Sequence, residues 1–128
     1  MQPELRLVRY FVAVAEERNI TRAELRDAIE AGDVIVVETL GAPYYEDAHL
    51  PGAINIPHTE VRNLAPALLP DKDAAIVVYC ANLPCPNSGI AAHVLTKLGY
   101  TNVREYAEGK DDWRAAGLPL QHGAPVAA

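Results

Sequence analysis

The chain has 128 residues, half of them hydrophobic and 22% charged, with a formal net charge of -6 at pH 7. This length suits one domain with a single core. The acidic balance argues against nucleic acids and anionic membrane surfaces as partners, because both require a basic face. No apolar run approaches the roughly 20 residues that a membrane-spanning helix needs. The N-terminus carries no signal-peptide cleavage pattern, and we therefore expect a cytoplasmic protein.

Two helices are predicted before the first strand. Residues 5–18 place apolar side chains at helical spacings of three and four. Thr21 and Glu24 form a capping-box pattern that opens a second helix, and Gly32 is placed to end it. The chain therefore begins with an amphipathic helix followed by a capped one.

Short apolar runs then alternate with helical patterns, which predicts a mostly parallel sheet covered on both faces. The segment 41–53 is interpreted as a loop or short helix, and the one at 59–70 as a helical piece broken by Pro66. Further helices are predicted at 88–98 and 111–116. The predicted strands are 34–38, 53–56, 74–79 and 102–106, with Ile20 near a short edge strand.

Cys80 directly follows the strongest predicted strand, 74–79. Ligands of parallel sheets bind at the carboxyl ends of the strands. The next helix begins near Asn87 or Ser88, so its positive N-terminus would favour a thiolate at Cys80, and loop N–H groups could cradle an anion. The alternative is that Cys80 is only a small buried apolar residue.

Four further stretches, "AHLPGAINIP", "IVVYC", "LGYTNV" and "EGKDDWRAAGLP", resemble single-domain rhodaneses, a sulfurtransferase family, over roughly residues 20–120. The resemblance implies an α/β fold with a mostly parallel five-stranded sheet flanked by helices, here with an extra N-terminal helix. It also implies that Cys80 is the catalytic nucleophile, which takes a sulfane sulfur as a persulfide and passes it to a thiol acceptor. We expect no cofactor, and the scattered histidines lack metal-ligand spacing.

The loop "CANLPCPNS" departs from the family pattern. It is two residues longer, it contains no charged residue, and Asn87 stands before Ser88 where active rhodaneses have Arg. One charge-assisted hydrogen bond to an anion contributes roughly 1.5–3 kcal/mol, so we expect weak or absent thiosulfate activity. The predicted active-site loop comprises Ala81, Asn82, Leu83, Pro84, Pro86, Asn87 and Ser88, and the predicted pocket rim comprises Glu38, Leu40 and His49.

Cys85 stands five residues after Cys80. It would either resolve an oxidised Cys80 as a disulfide or simply pack in a proline-stiffened turn. Three functions stay open: a sulfurtransferase or sulfur carrier using Cys80, an inactive rhodanese-homology binding or regulatory module, and a thiol redox protein cycling both cysteines. A sulfur donor and a thiol acceptor are the expected partners of the first.

The first residues, "ELRLVRYFVAVAEERNITRAEL", resemble the opening of LysR-type transcriptional regulators, but the recognition helix and wing are missing. We therefore predict no DNA binding, and expect the N-terminal helix to pack on the domain or to form a homodimer. The predicted division is a helical extension at 1–18, a rhodanese-like domain at 19–122 and a flexible tail at 123–128.

Overall fold

The structure is a computed structural model, and it describes residues 18–124. The predicted N-terminal helix, apart from Arg18, lies outside the described residues, and so do residues 125–128 of the predicted tail. Within 18–124, no helix is long and apolar enough to cross a membrane.

Four parallel strands form one sheet in the order β2-β1-β3-β4. In the register, Glu38 of β1 is opposite Tyr79 of β3, which is opposite Tyr106 of β4. These three strands therefore end at the same edge, where the loops after them meet. The strands are β1 Ile35–Glu38, β2 Ile54–Asn55, β3 Ile76–Tyr79 and β4 Val103–Tyr106.

The five strands expected from the resemblance are not confirmed, because the described residues form a sheet of four strands. Beside β4, Asn19 makes only an isolated parallel bridge to Glu105. The Ile20 N–H donates to the Glu105 carbonyl at 3.0 Å, and the next residue, Thr21, already caps a helix. Within residues 18–124, the edge segment therefore pairs with β4 over a single bridge before the helix begins.

Local sequence signals set the boundaries of the first described helix. The Thr21 hydroxyl accepts from the Glu24 N–H at 3.1 Å, and the Glu24 carboxylate accepts from the Thr21 N–H at 3.0 Å. Gly32 ends the helix with a φ of +72°. Both predictions are confirmed. The helices are α1 Arg22–Ala31, α2 Ala42–Asp47, a 3₁₀ turn at His58–Glu60, α3 Val61–Leu68, α4 Asn87–Lys97 and α5 Gly109–Ala115.

Pro66 does not break α3, contrary to the prediction. The helix runs through it to Leu68, and the Leu69 N–H still donates to the Ala65 carbonyl at 2.7 Å. Pro66 is exposed while Ala65 and Leu69 are buried. The backbone bond that proline removes therefore faces solvent, and burial of the other side holds the helix together.

The sheet separates two apolar clusters, one on each face. On the first face, α1 and α5 cover Val36, Val77 and Tyr79. On the second face, α3 and α4 cover Val37 and Val78. Because successive side chains of a strand alternate between faces, Cys80, which follows Tyr79, is directed towards the second face and α4.

Candidate active site

Cys80 lies directly after β3 and is 1% exposed. Its carbonyl accepts from the Lys110 N–H, and the Ala81 carbonyl accepts from the Asp111 N–H, both at 2.9 Å. Gly109 permits this contact, since its φ is +72° and a Cβ there would lie 2.6 Å from the Cys80 carbonyl oxygen. The start of the loop is thus fixed against the first turn of α5.

The structure joins the two cysteines, Cys80 and Cys85, in a disulfide with a Cα–Cα distance of 6.5 Å. Between them the chain makes a turn in which the Cys85 N–H donates to the Asn82 carbonyl at 3.2 Å. The tip is open, with Leu83 69% exposed and Pro84 exposed. Of the remaining loop residues, Pro86 is exposed, Ala81 and Asn87 are half-buried, and Ser88 is buried.

Two oxygen atoms, one from a carbonyl and one from a hydroxyl, lie close to the Cys80 sulfur. The Cys85 carbonyl oxygen is 3.4 Å from it and Ser88 Oγ is 3.7 Å from it. The Ser88 hydroxyl donates to Glu105 Oε2 at 2.5 Å. Within residues 18–124, no backbone N–H donates to this sulfur in the disulfide form, so the N–H cradle expected from the sequence stays a prediction for the reduced form.

A buried ion pair lies on the first face of the same sheet edge. Lys110 Nζ is 2.9 Å from Glu38 Oε1, and the two side chains are 8% and 0% exposed. The Tyr79 hydroxyl donates to the same oxygen at 2.7 Å, and Lys110 Nζ also donates to the Tyr44 carbonyl at 3.0 Å. Burial raises the pKa of the Glu38 carboxyl, and the hydrogen bonds from Lys110 and Tyr79 partly oppose this.

Glu38, predicted for the pocket rim, is therefore enclosed, and its Oε2 has no hydrogen-bond partner within the described chain. Burial, followed by the nearby Glu38 charge, raises the pKa of the Tyr79 hydroxyl. This keeps Tyr79 a neutral donor to Glu38 and an acceptor from the Leu50 N–H at 3.0 Å. The network ties β1, β3 and α5 together.

The sequence prediction missed both Lys110 and Glu105. Lys110 lies between Gly109 and the buried Trp113, and a charge buried there needs a partner. Glu38, at the end of β1, lies at the same edge of the sheet. Opposite charges at neighbouring loops were the available signal. Glu105 gave none, because its link to Ser88 depends on how α4 packs against β4.

The remaining predicted rim residues have structural contacts. His49 is 5% exposed, its Nδ1 is 2.8 Å from the Tyr45 carbonyl, and its ring stacks on that of Tyr45. The His49 main chain exchanges two hydrogen bonds with Gln121, at 2.9 and 2.8 Å. These contacts hold the segment around His49 in place. Leu40 is half-buried, and its carbonyl accepts from Asn55 Nδ2 at 2.8 Å.

A cavity of about 630 Å³ lies elsewhere, beside the edge strand β2. His49, Ile54 and Leu68 are among its lining residues, and Cys80 is not. Within 18–124, no cluster of three or more His, Cys, Asp or Glu side chains could hold a metal ion. The cavity therefore does not include the residue predicted to carry the sulfur chemistry.

Residues 21–116 match the family model of the rhodanese-like domain. The chain belongs to the rhodanese-like family. This confirms the family predicted from the sequence, and with it an α/β fold whose parallel sheet is flanked by helices.

The chain is also similar to several individual proteins. The chain is 40% identical over 110 residues to "HTH-type transcriptional regulator Rv0324" of Mycobacterium tuberculosis, covering 86% of this chain and 47% of that protein. It is 39% identical over 67 residues to "Thiosulfate sulfurtransferase PspE" of Escherichia coli K12, covering 52% and 62%. The crystal structure of the BH2092 protein from Bacillus halodurans superposes with a TM-score of 0.78 at 26% identity, covering 94% and 87%. The rhodanese-like chain thus spans less than two thirds of either curated relative.

Proposed function

We propose that this domain is a sulfurtransferase or sulfur carrier that accepts a sulfane sulfur on Cys80 as a persulfide. The observation that carries the proposal is the position of Cys80 at the carboxyl end of a central strand, with Cys85 within bonding reach. In the first half-reaction, the Cys80 thiolate attacks the outer sulfur of a donor R–S–SH. A new S–S bond forms on Cys80, the donor S–S bond breaks, and R–S⁻ leaves and takes up a proton.

Two routes release the sulfur. In one, an acceptor thiolate attacks the outer sulfur of the Cys80 persulfide, gains that sulfur, and returns Cys80 to the thiolate. In the other, Cys85 attacks the inner sulfur, which gives the Cys80–Cys85 disulfide and releases hydrogen sulfide. The disulfide then needs an external dithiol, which is itself oxidised, to restore both thiols. The pairing of the cysteines in the structure supports the second route.

A protein persulfide or a neutral sulfur source fits this site better than thiosulfate does. Thiosulfate is a dianion, and the loop from Cys80 to Ser88 carries no charged residue. Lys110, whose N–H donates to the Cys80 carbonyl, has its Nζ bound to Glu38. A donor site without an available cation loses the charge-assisted bonds that hold an oxyanion.

Intact-mass spectrometry after incubation with several sulfur donors tests the proposal. The reduced protein should gain the mass of one sulfur atom with a persulfide donor and little with thiosulfate, and Cys80→Ser should abolish the gain. Cys85→Ser is the matched control, because it removes the other thiol of the pair and should leave the first half-reaction intact. Equal loss in both variants would show that the thiols act only as a unit and would contradict the proposed order of steps.

The disulfide favours a second candidate, a thiol redox protein that cycles Cys80 and Cys85 without carrying sulfur. It predicts a loss of two hydrogens on oxidation and no sulfur gain with any donor. The similarity to a protein named as an HTH-type transcriptional regulator is compatible with a third, a regulatory module. That module would bind its partner equally well with Cys80 replaced by serine. The cytoplasmic location and a homodimer through the N-terminal helix remain proposals.

A further inference from the structure

We propose that Glu105, acting through Ser88, is a positioning residue that holds reduced Cys80 as a protonated thiol and disfavours anionic reagents. This rests on the proposed role of Cys80 as a nucleophile. Ser88 is the link, since its Oγ is 2.5 Å from Glu105 Oε2 and 3.7 Å from the Cys80 sulfur.

The direction of the Ser88 hydrogen bond decides what the sulfur meets. A hydroxyl has one hydrogen, and the short contact with a carboxylate takes it, because bonds to an ionised acceptor are the stronger ones. Ser88 therefore presents lone pairs to Cys80. The other close polar atom, the Cys85 carbonyl oxygen at 3.4 Å, is also an acceptor. A thiol can donate to either atom, whereas a thiolate would be repelled by both.

The carboxylate adds a full negative charge to this arrangement. Within the described part of the chain, no lysine or arginine lies within 4.0 Å of the Glu105 carboxylate as an ion-pair partner. The opposing effect is the N-terminus of α4, equivalent to about half a positive charge. No N–H of that turn donates to the sulfur in the described structure, so the full charge outweighs the partial one.

The other charged side chains near the loop form ion pairs with one another. Lys110 Nζ binds Glu38 and the Tyr44 carbonyl on the first face of the sheet. The Asp111 carboxylate accepts from Asn82 Nδ2 at 3.3 Å and lies 3.9 Å from Arg114 Nη1, so this ion pair brings no net charge to the loop. Neither arrangement supplies a cation that would offset Glu105 at the sulfur.

The test uses Cys85→Ser protein, in which Cys80 is the single thiol because the chain has two cysteines. Alkylation by neutral iodoacetamide is followed as a function of pH. Introducing Glu105→Gln should lower the pH midpoint of alkylation by roughly one unit, since a nearby like charge shifts ionisation by about that much or more. Glutamine keeps the length of the side chain and an acceptor for Ser88, and circular dichroism verifies folding.

Glu30→Gln in the same background is the control, because it removes an equal charge from the exposed side of α1, and its midpoint should equal that of the parent. A second measurement needs no substitution at Glu105. The rate ratio of anionic iodoacetate to iodoacetamide should be several-fold lower for the parent than for free cysteine, and Glu105→Gln should raise it.

An unchanged or raised midpoint in folded Glu105→Gln would overturn the proposal, and so would a parent rate ratio equal to that of free cysteine. Alkylation requires no sulfur donor. If the midpoint falls while no persulfide forms, the inference about Glu105 stands and the proposed function fails. If persulfide forms while the midpoint does not move, the proposed function stands and this inference fails.

Discussion

Each face of the sheet has a carboxylate at the same edge. Within the described residues, only the one on the first face is paired with a cation. On the first face, Glu38 is enclosed with Lys110 and accepts from Tyr79. On the second, Glu105 binds only the neutral hydroxyl of Ser88 among the side chains of the described chain, and that hydroxyl contacts the Cys80 sulfur. Lys110 thus stabilises the fold through Glu38. The Cys80 sulfur is linked through Ser88 to a carboxylate.

The number of charged residues near a site is therefore a poor guide to the electrostatic field at that site. Lys110 is fixed through its backbone to the Cys80 carbonyl, yet its ammonium group points to the other face of the sheet. A buried cation that is already paired neutralises its partner and does little for an incoming anion. Substitutions on each face separate the two effects.

The largest expected effect is on stability, from Lys110→Met. It leaves Glu38 buried without a cation, which typically costs about 3–5 kcal/mol of unfolding free energy. Chemical denaturation measures this. Arg22→Met is the control, because the Arg22–Asp112 pair is partly exposed and such pairs contribute about 0–1 kcal/mol. The double variant Glu38→Gln/Lys110→Met should recover much of the loss, and no recovery would show that Lys110 acts by packing.

Gly109→Ala should destabilise the protein by about 2–4 kcal/mol and disturb the loop. The left-handed conformation alone costs a residue with a Cβ roughly 1–2 kcal/mol. The added Cβ would also lie 2.6 Å from the Cys80 carbonyl oxygen, which must move. Gly117→Ala is the matched control, since Gly117 has a φ of +74° and nothing within 4 Å of its Cβ position. Equal losses in thermal or chemical unfolding would mean that the contact with the loop is unimportant.

Asn87→Arg should raise thiosulfate turnover about tenfold or more from a very low level. The new guanidinium would stand at the start of α4, next to Ser88, where it can both favour a Cys80 thiolate and bind the oxyanion. Steady-state assays of thiosulfate and cyanide measure the change, with Asn87→Gln as a neutral control. Robust thiosulfate turnover by the unsubstituted protein would show that no added cation is needed.

The smallest effect concerns pH. Because the pKa of Glu38 is raised above its ordinary value of 4.5, the folded state holds this proton more tightly than the unfolded state does. Its contribution to stability is therefore present below pH 4.5 and is lost as the pH rises through the raised value. The unfolding free energy of the protein minus that of Glu38→Gln should fall over this range. A difference that rises with pH would mean that Lys110 lowers the Glu38 pKa overall.

Local signals in the sequence predicted most of the fold. The capping box at Thr21, the stop at Gly32 and the apolar run before Cys80 depend on neighbours within a few residues, and each appears in the structure. The fifth strand was not confirmed, and the break at Pro66 was wrong. The outcome at Pro66 depends on which side of the helix is buried, and tertiary packing decides that.

The site was predictable only in part. Cys80 and its loop follow from the end of a strand, since all parallel strands present their carboxyl ends together. The pairing of Lys110 with Glu38 joins residues that are 72 positions apart in the sequence. The contact of Ser88 with Glu105 depends on how α4 lies against β4. Such contacts between distant elements leave no periodic pattern in the chain.

The hydrogen bonds from α5 to the loop divide it into an anchored end and a movable end. Cys80 is fixed by its strand and by the Lys110 N–H, whereas Cys85 follows an exposed turn held by one backbone hydrogen bond to Asn82. We therefore expect that opening or closing the disulfide moves mainly the Cys85 side chain. The Cys80 sulfur would then keep its position while the Cys85 sulfur approaches or leaves it. The geometry for attack on Cys80 would be the same for an external reagent and for Cys85.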